Sequence, residues 1–209
     1  VLTLNATANA DCRLRRWVRS SSTYSQESSI TITVNATAYY NNYYADFGRL
    51  IAYQVSLAPD SPEGSSIIAK DQQLGTEIPL AGSFDLGQNI AVTVTLPEHN
   101  RVNWHDGNSQ NFRTFTIGEN PANNVFTAHI VPTYTVVLNK QPADSYGPHV
   151  SFSGGGSTRT FDLGTESFFY AGVYWGEYWR FVKWTDGNTQ YNRSFNPENS
   201  DTYTFTAEF

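Results

Sequence analysis

The sequence predicts an all-β protein, β-rich and assembled as a tandem array of two full modules and one half module of about 80 residues each. Three observations predict it. Short segments alternate apolar or aromatic with polar residues at period two, the spacing of a half-buried strand. Clusters of Gly, Asn and Asp punctuate them as turns. Blocks of residues also recur in the same order along the chain.

The strands come in order. Val1-Leu2-Thr3-Leu4 corresponds to the strand near Val92–Thr95, Ser29-Ile30-Thr31-Ile32-Thr33-Val34 alternates, and Ala91-Val92-Thr93-Val94-Thr95-Leu96 follows. Tyr134-Thr135-Val136-Val137-Leu138 and Thr202-Tyr203-Thr204-Phe205-Thr206-Ala207 complete the set. Asp106-Gly107-Asn108 and Asp186-Gly187-Asn188 read as tight turns, because Gly and Asn tolerate positive φ. No stretch of about 12 residues has helical periodicity.

The repeat is collinear. Trp104-His105-Asp106-Gly107-Asn108 matches Trp184-Thr185-Asp186-Gly187-Asn188, and Arg113-Thr114-Phe115 matches Arg193-Ser194-Phe195. Phe126-Thr127-Ala128 matches Phe205-Thr206-Ala207, Phe84-Asp85-Leu86-Gly87 matches Phe161-Asp162-Leu163-Gly164, and Tyr53 matches Tyr134. A third copy, its back half only, places Leu14-Arg15-Arg16-Trp17 on Arg101–Trp104 and Tyr44-Ala45-Asp46-Phe47 on Thr206–Phe209. The division is therefore 1–48 for the incomplete first module, 49–131 for the second and 132–209 for the third. The missing front half is expected upstream of Val1, and a chain that starts at Val1 without any Met reads as a processed or excised piece. Short links around Gly48–Ile51 and Val131–Thr133 predict an elongated, semi-rigid rod. Trp17, Trp104 and Trp184 each fall where one large ring would fill a small module's core.

Composition narrows the function. The 209 residues carry 13 Lys+Arg against 19 Asp+Glu, a net charge of -6. The pI is near 5.1. That balance argues against nucleic acid and anionic membrane as partners. No apolar run approaches the ~20 residues of a membrane-spanning helix, so no membrane insertion is expected. The single cysteine excludes an internal disulfide framework and any Cys-based metal cluster. The paucity of lysine, confined to Lys70, Lys140 and Lys183, goes with extracellular bacterial proteins.

The run Trp179-Arg180-Phe181-Val182-Lys183-Trp184, then Asp186-Gly187-Asn188, Arg193-Ser194-Phe195 and the closing Tyr203–Phe209, resembles the divergent internalin-B-type B-repeat of bacterial surface proteins. The third module fits best. The second has His99 and Arg101 where that pattern carries Tyr and Phe, and Ile130 in place of the last Phe; the first has Cys12 and Leu14. The resemblance implies small, β-grasp-like units in tandem on secreted or surface-anchored proteins, with roles in spacing, display or adhesion. Its motif carries no catalytic residue.

Enzymatic chemistry finds little support. His99, His105, His129 and His149 fall at solvated turn or strand positions, and no G-x-S-x-G elbow exists. Cys12 stands at a core position of the repeat and reads as a buried thiol. Glu166 and Glu177 lack a cleft to face across. Asp106 and Asp186 lack the further carboxylates of a calcium loop, so no metal or cofactor is expected. The cluster most suggestive of binding is Tyr174, Trp175, Tyr178 and Trp179, aromatic rings of the kind that stack on sugars or on a protein partner. Tyr39-Tyr40-Asn41-Asn42-Tyr43-Tyr44 has similar character.

The expected function is a non-catalytic structural or adhesive repeat segment of an extracellular or cell-surface bacterial protein, serving as stalk, display or filament-forming module. The alternative is a carbohydrate-binding accessory region of a secreted enzyme. Expected partners are neighbouring modules, identical subunits joined by strand addition near Val1–Leu4, and surface glycans.

Overall fold

Helical structure among the described residues is one 3-10 turn, Pro121–Asn124, whose first amide groups are capped by Asn120. The rest is strand and turn, so the chain is all-β. The computed structural model describes residues 1–32, 42–143, 146–174 and 178–209. The cluster Tyr39–Asn41, the residues Thr33 and Val34, Trp175 and Glu177 lie outside the described residues.

Two compact units are distinguished: Val1–Ser56 with Ile67–Val94 and Phe112–Thr127, and Leu57–Ser66 with Thr95–Asn111 and Ala128–Phe209. In the first, β1 (Leu2–Asn5), β2 (Cys12–Arg19), β3 (Ser22–Ser25) and β4 (Ser29–Ile32) precede a long strand, β5 (Tyr43–Leu57). Then come β6 (Ser66–Asp71), β7 (Glu77–Ile78), β8 (Ala81–Asp85) and β9 (Asn89–Thr95). After β10 (Asn100–Trp104), which belongs to the second unit, β11 (Phe112–Thr116) pairs antiparallel with β9. β2 and β8 both pair antiparallel with β5, and β1 pairs with β4.

The second unit contains β10 and most of β12 (Val125–Gln141), then β13 (Pro148–Phe152), β14 (Thr158–Asp162) and β15 (Ser167–Val173). β16 (Lys183–Trp184), β17 (Asn192–Phe195) and β18 (Thr202–Glu208) close it. One sheet is organised on β12, which pairs antiparallel with β10 and β14 and in parallel with β18. The other is β13–β15–β17. Between them lie Tyr134, Val136, Leu138, Phe152, Phe169, Trp184 and Phe205, all buried. Alternation explains the arrangement: on β15 the odd positions from Ser167 face this core and the even ones face away.

The three tryptophans share one local design. Trp17, Trp104 and Trp184 are 5%, 1% and 0% exposed. Each sits directly across an antiparallel pair from an alanine: Ala45, Ala128 and Ala207. A small residue opposite leaves room for the indole on the inner face. Each indole Nε1 donates to a main-chain carbonyl, of Glu27 at 3.0 Å, Gln110 at 2.9 Å and Gln190 at 2.9 Å. A buried Trp N–H thus has its acceptor in every case.

Two expectations change. The stretches Gly48–Ile51 and Val131–Thr133, read as links, lie inside continuous strands of 15 and 17 residues. Their turn-like residues, Gly48 and Pro132, fall inside the strands and do not end them. The match of Tyr53 with Tyr134 also slips by two: Ile51 faces Phe84 across its strand pair, and Tyr134 faces Phe161. A two-residue slip preserves which face a side chain takes, so both tyrosines still point inward and the sequence cannot detect the shift.

Candidate functional site

The turn after each of the last two tryptophans is a closed local structure. Asp106 Oδ1 accepts from Asn108 N at 3.1 Å and Asn108 Oδ1 from Gln110 N at 2.8 Å. Asp186 and Asn188 do the same at 3.2 and 2.8 Å. Gly107 and Gly187, at φ of 80 and 87, supply the left-handed step. These carboxylates hold a turn. Burial pushes the Asp186 carboxyl upward, but hydrogen bonds from Arg193 and from Asn188 N outweigh it and leave it below the usual carboxylate range. Among the described residues no three His, Cys, Asp or Glu side chains cluster as metal ligands would.

A second recurring arrangement was not read from the sequence as a charge pair. Asp85 and Asp162 occupy the same place in the Phe-Asp-Leu-Gly repeat. Asp162 takes a two-pronged ion pair from Arg101, with both N···O distances 2.7 Å. Asp85 takes one from Arg13 at 3.0 and 2.7 Å, and Arg15 Nε lies 3.3 Å away. The registers make the two sites equivalent. Arg13 faces Gly48 and Asp85 faces Leu50 on β5; Arg101 faces Val131 and Asp162 faces Thr133 on β12. A β-bulge between Leu14 and Arg16 shifts the first strand by one residue, so Arg13, and not Leu14, stands at the position of Arg101.

The pair spans the long strand. Leu50 N donates to Asp11 O on the β2 side, while Arg49 O accepts from Leu86 N on the β8 side. The C=O and N–H of one peptide point to opposite edges, so β2 and β8 flank β5 on opposite edges. Thr133 N to His99 O and Leu163 N to Pro132 O repeat the pattern on β12. Each arginine therefore crosses over a central strand to reach the carboxylate beyond it. Gly48 lies beneath the first crossing: a Cβ there would collide with Arg15 Nε and Asp85 Oδ1. The Arg101 hydrogen bond holds the Asp162 carboxyl below its usual range, and Asp162 in turn raises Arg101.

The aromatic candidates divide. Tyr174 and Tyr178 are exposed, at 66% and 95%, and Trp179 is half-buried. Trp175 lies outside the described residues. Tyr174 stacks on His149, with ring centroids 3.8 Å apart. No described contact joins it to Tyr178. The tryptophans Trp17, Trp104 and Trp184 are core residues with satisfied N–H groups. Cys12, expected to be buried, is half-buried, because it opens β2 next to the exposed Asp11 rather than lying within the core stretch of the strand. Sequence reasoning passed over Phe168 and Tyr170 and read His149 only as a solvated residue. The doubled Phe168-Phe169 was the available signal, since one of two neighbours on a strand must face away from the core.

No family model matches the chain, and no curated protein matches it. Among solved structures the chain is similar to one described as the Bacillus anthracis TIE protein, at 11% identity and a TM-score of 0.24. The match covers 79% of this chain and 38% of that one, so the chain spans well under half of that protein's length. A likeness this slight carries neither fold nor function.

Proposed function

We propose that the chain is a non-catalytic structural or adhesive repeat segment of a secreted or cell-surface protein, working as a stalk or display module. The observation that supports this reading is the junction: a strand that runs unbroken where one repeat passes into the next, braced by an arginine–carboxylate pair over its middle. It recurs on β5 and β12 with the same register. Backbone hydrogen-bonded in this way resists local opening, and so resists a protease that needs an opened strand.

Limited proteolysis tests it. Trypsin should spare Arg49 and chymotrypsin Tyr134 while cutting exposed loops. Rapid release of fragments at either residue would overturn the spacer reading, and turnover of ester, peptide or glycoside substrates by the pure chain would overturn its non-catalytic part.

A second reading, filament assembly by strand addition near Val1–Leu4, is favoured by one observation. Among the described residues β1 pairs only with β4, in a two-stranded sheet, and Leu2 is 49% exposed. An accepting edge predicts concentration-dependent mass in light scattering, abolished by Leu2→Pro; a constant monomer mass would sink it.

A further inference from the structure

The outer face of β13–β15–β17 carries a row of rings. Phe168 and Tyr170 point away from the core on β15, and Phe168 is 57% exposed. The row continues past Gly172, over which His149 lies from the neighbouring strand. His149 meets Tyr170 edge-on at 5.7 Å and stacks on Tyr174 at 3.8 Å. Successive outward positions on one strand are about 6.6 Å apart, so the rings form a line along β15. Short polar groups border it: Ser194 faces Phe168, and Asn192 faces Tyr170.

The fold does not require these rings. β9 and β11 pair with the same geometry, Phe115 opposite Ile90 as Phe195 is opposite Ser167. On β9 the outward positions equivalent to Phe168 and Tyr170 hold Ala91 and Thr93. An aromatic side chain held in water on a sheet that forms without it points to a ligand.

We propose that this face binds an uncharged polysaccharide, laid along β15 with its sugar faces on Phe168 and Tyr170 and its hydroxyls on the flanking Ser194 and Asn192. Two observations select that occupant. The first is charge: among the described residues, the shallow groove of about 470 Å³ beside Phe168 and Tyr170 is lined by serine, asparagine, glutamine and aromatic residues and by one charged residue, Arg193. Arg193 is 10% exposed and bound to Asp186 at 2.7 Å, so it offers a ligand no free charge. The second is area. Three strands about 4.8 Å apart, of 5, 7 and 4 residues, present a face of roughly 250 Å², against the ~800 Å² per partner of a stable protein interface. The face is too small for a second copy and matches a short stretch of sugar chain. The proposal is independent of the stalk reading, since it involves neither braced junction.

The test is affinity electrophoresis of the 1–209 chain through gels containing xylan, mixed-linkage β-glucan, galactomannan or starch, with polygalacturonate and heparin as charged comparators. Retardation by at least one neutral polymer is expected. Phe168→Ala with Tyr170→Ala should weaken it at least tenfold without lowering the melting temperature, because β9 folds with Ala91 and Thr93 at those places. Ser194→Arg, at an exposed position, blocks the groove and should weaken it too, while Thr93→Ala should leave it unchanged. The proposal is overturned by no retardation in any neutral gel, by retardation in charged gels only, by retardation that survives both groove variants, or by self-association that the same variants abolish.

Discussion

Removing the two arginines that face Asp85 should be far more damaging than removing Asp85 itself. The Asp85 side chain is 1% exposed, whereas Arg13 and Arg15 are 49% and 32% exposed. Arg13→Ala with Arg15→Ala strands a buried carboxylate, a change that costs about 3–5 kcal/mol. Asp85→Ala leaves two guanidinium groups that turn out into water, at about 1–2 kcal/mol. The triple variant, without the stranded charge, should therefore recover about 2 kcal/mol over the double. Arg101–Asp162 is the internal reference: with side chains 38% and 39% exposed, either single truncation there should cost no more than about 1 kcal/mol. Urea unfolding followed by tryptophan fluorescence reads all five variants. A triple variant no more stable than the double would refute the reasoning, because it would mean that lost packing of the arginine stems, and not an uncompensated charge, sets the cost.

Three further outcomes follow from the same structure. Trp184→Ala should destabilise by about 3–5 kcal/mol in calorimetry, since a fully buried ring and its hydrogen bond go together. Gly48→Ala should lower the urea midpoint more than Gly107→Ala. The first drives a methyl into the ion pair, at about 1–3 kcal/mol, while the second meets open space and bears only the strain of its φ of 80, about 1 kcal/mol. Asp162 and Asp186 both titrate lower in the folded chain than in the unfolded one, so their contribution is complete above the unfolded value near pH 4 and is lost as the pH falls toward the folded values. Thermal melts from pH 6 to pH 2 should show that loss, and Asp162→Asn should flatten it.

The strands and tryptophans were legible because alternation and large-aromatic placement are local signals. Ser29–Ile32 and Thr202–Glu208 alternate in burial as they alternate in polarity. The junctions were not legible. Gly48 and Pro132 look like punctuation, yet Gly48 is small because an ion pair passes over it, and Pro132 lies within a strand where its carbonyl accepts from Leu163 N. The Arg–Asp pairs join residues far apart in sequence, and the bulge at Leu14 disguised Arg13 by one position. The aromatic face was hidden in the run Ser167-Phe168-Phe169-Tyr170, where continuous apolarity masks which rings face out.

The crossing ion pairs also give the repeats a grammar. Each junction needs a guanidinium from the strand leading into one tryptophan and a carboxylate from the repeat that follows, so the two ends of a module are not interchangeable. Three residues before Trp184, where Arg101 stands relative to Trp104, the chain has Phe181, whose ring packs on Trp184 and Phe209. A chain rebuilt with the last repeat ahead of the middle one would set that ring beside the next carboxylate and leave it without its cation. In the proposed division into repeats, the residue three places before each tryptophan decides which neighbour a module can pair with, and a shuffled chain is expected to be less stable at the first junction that fails to pair.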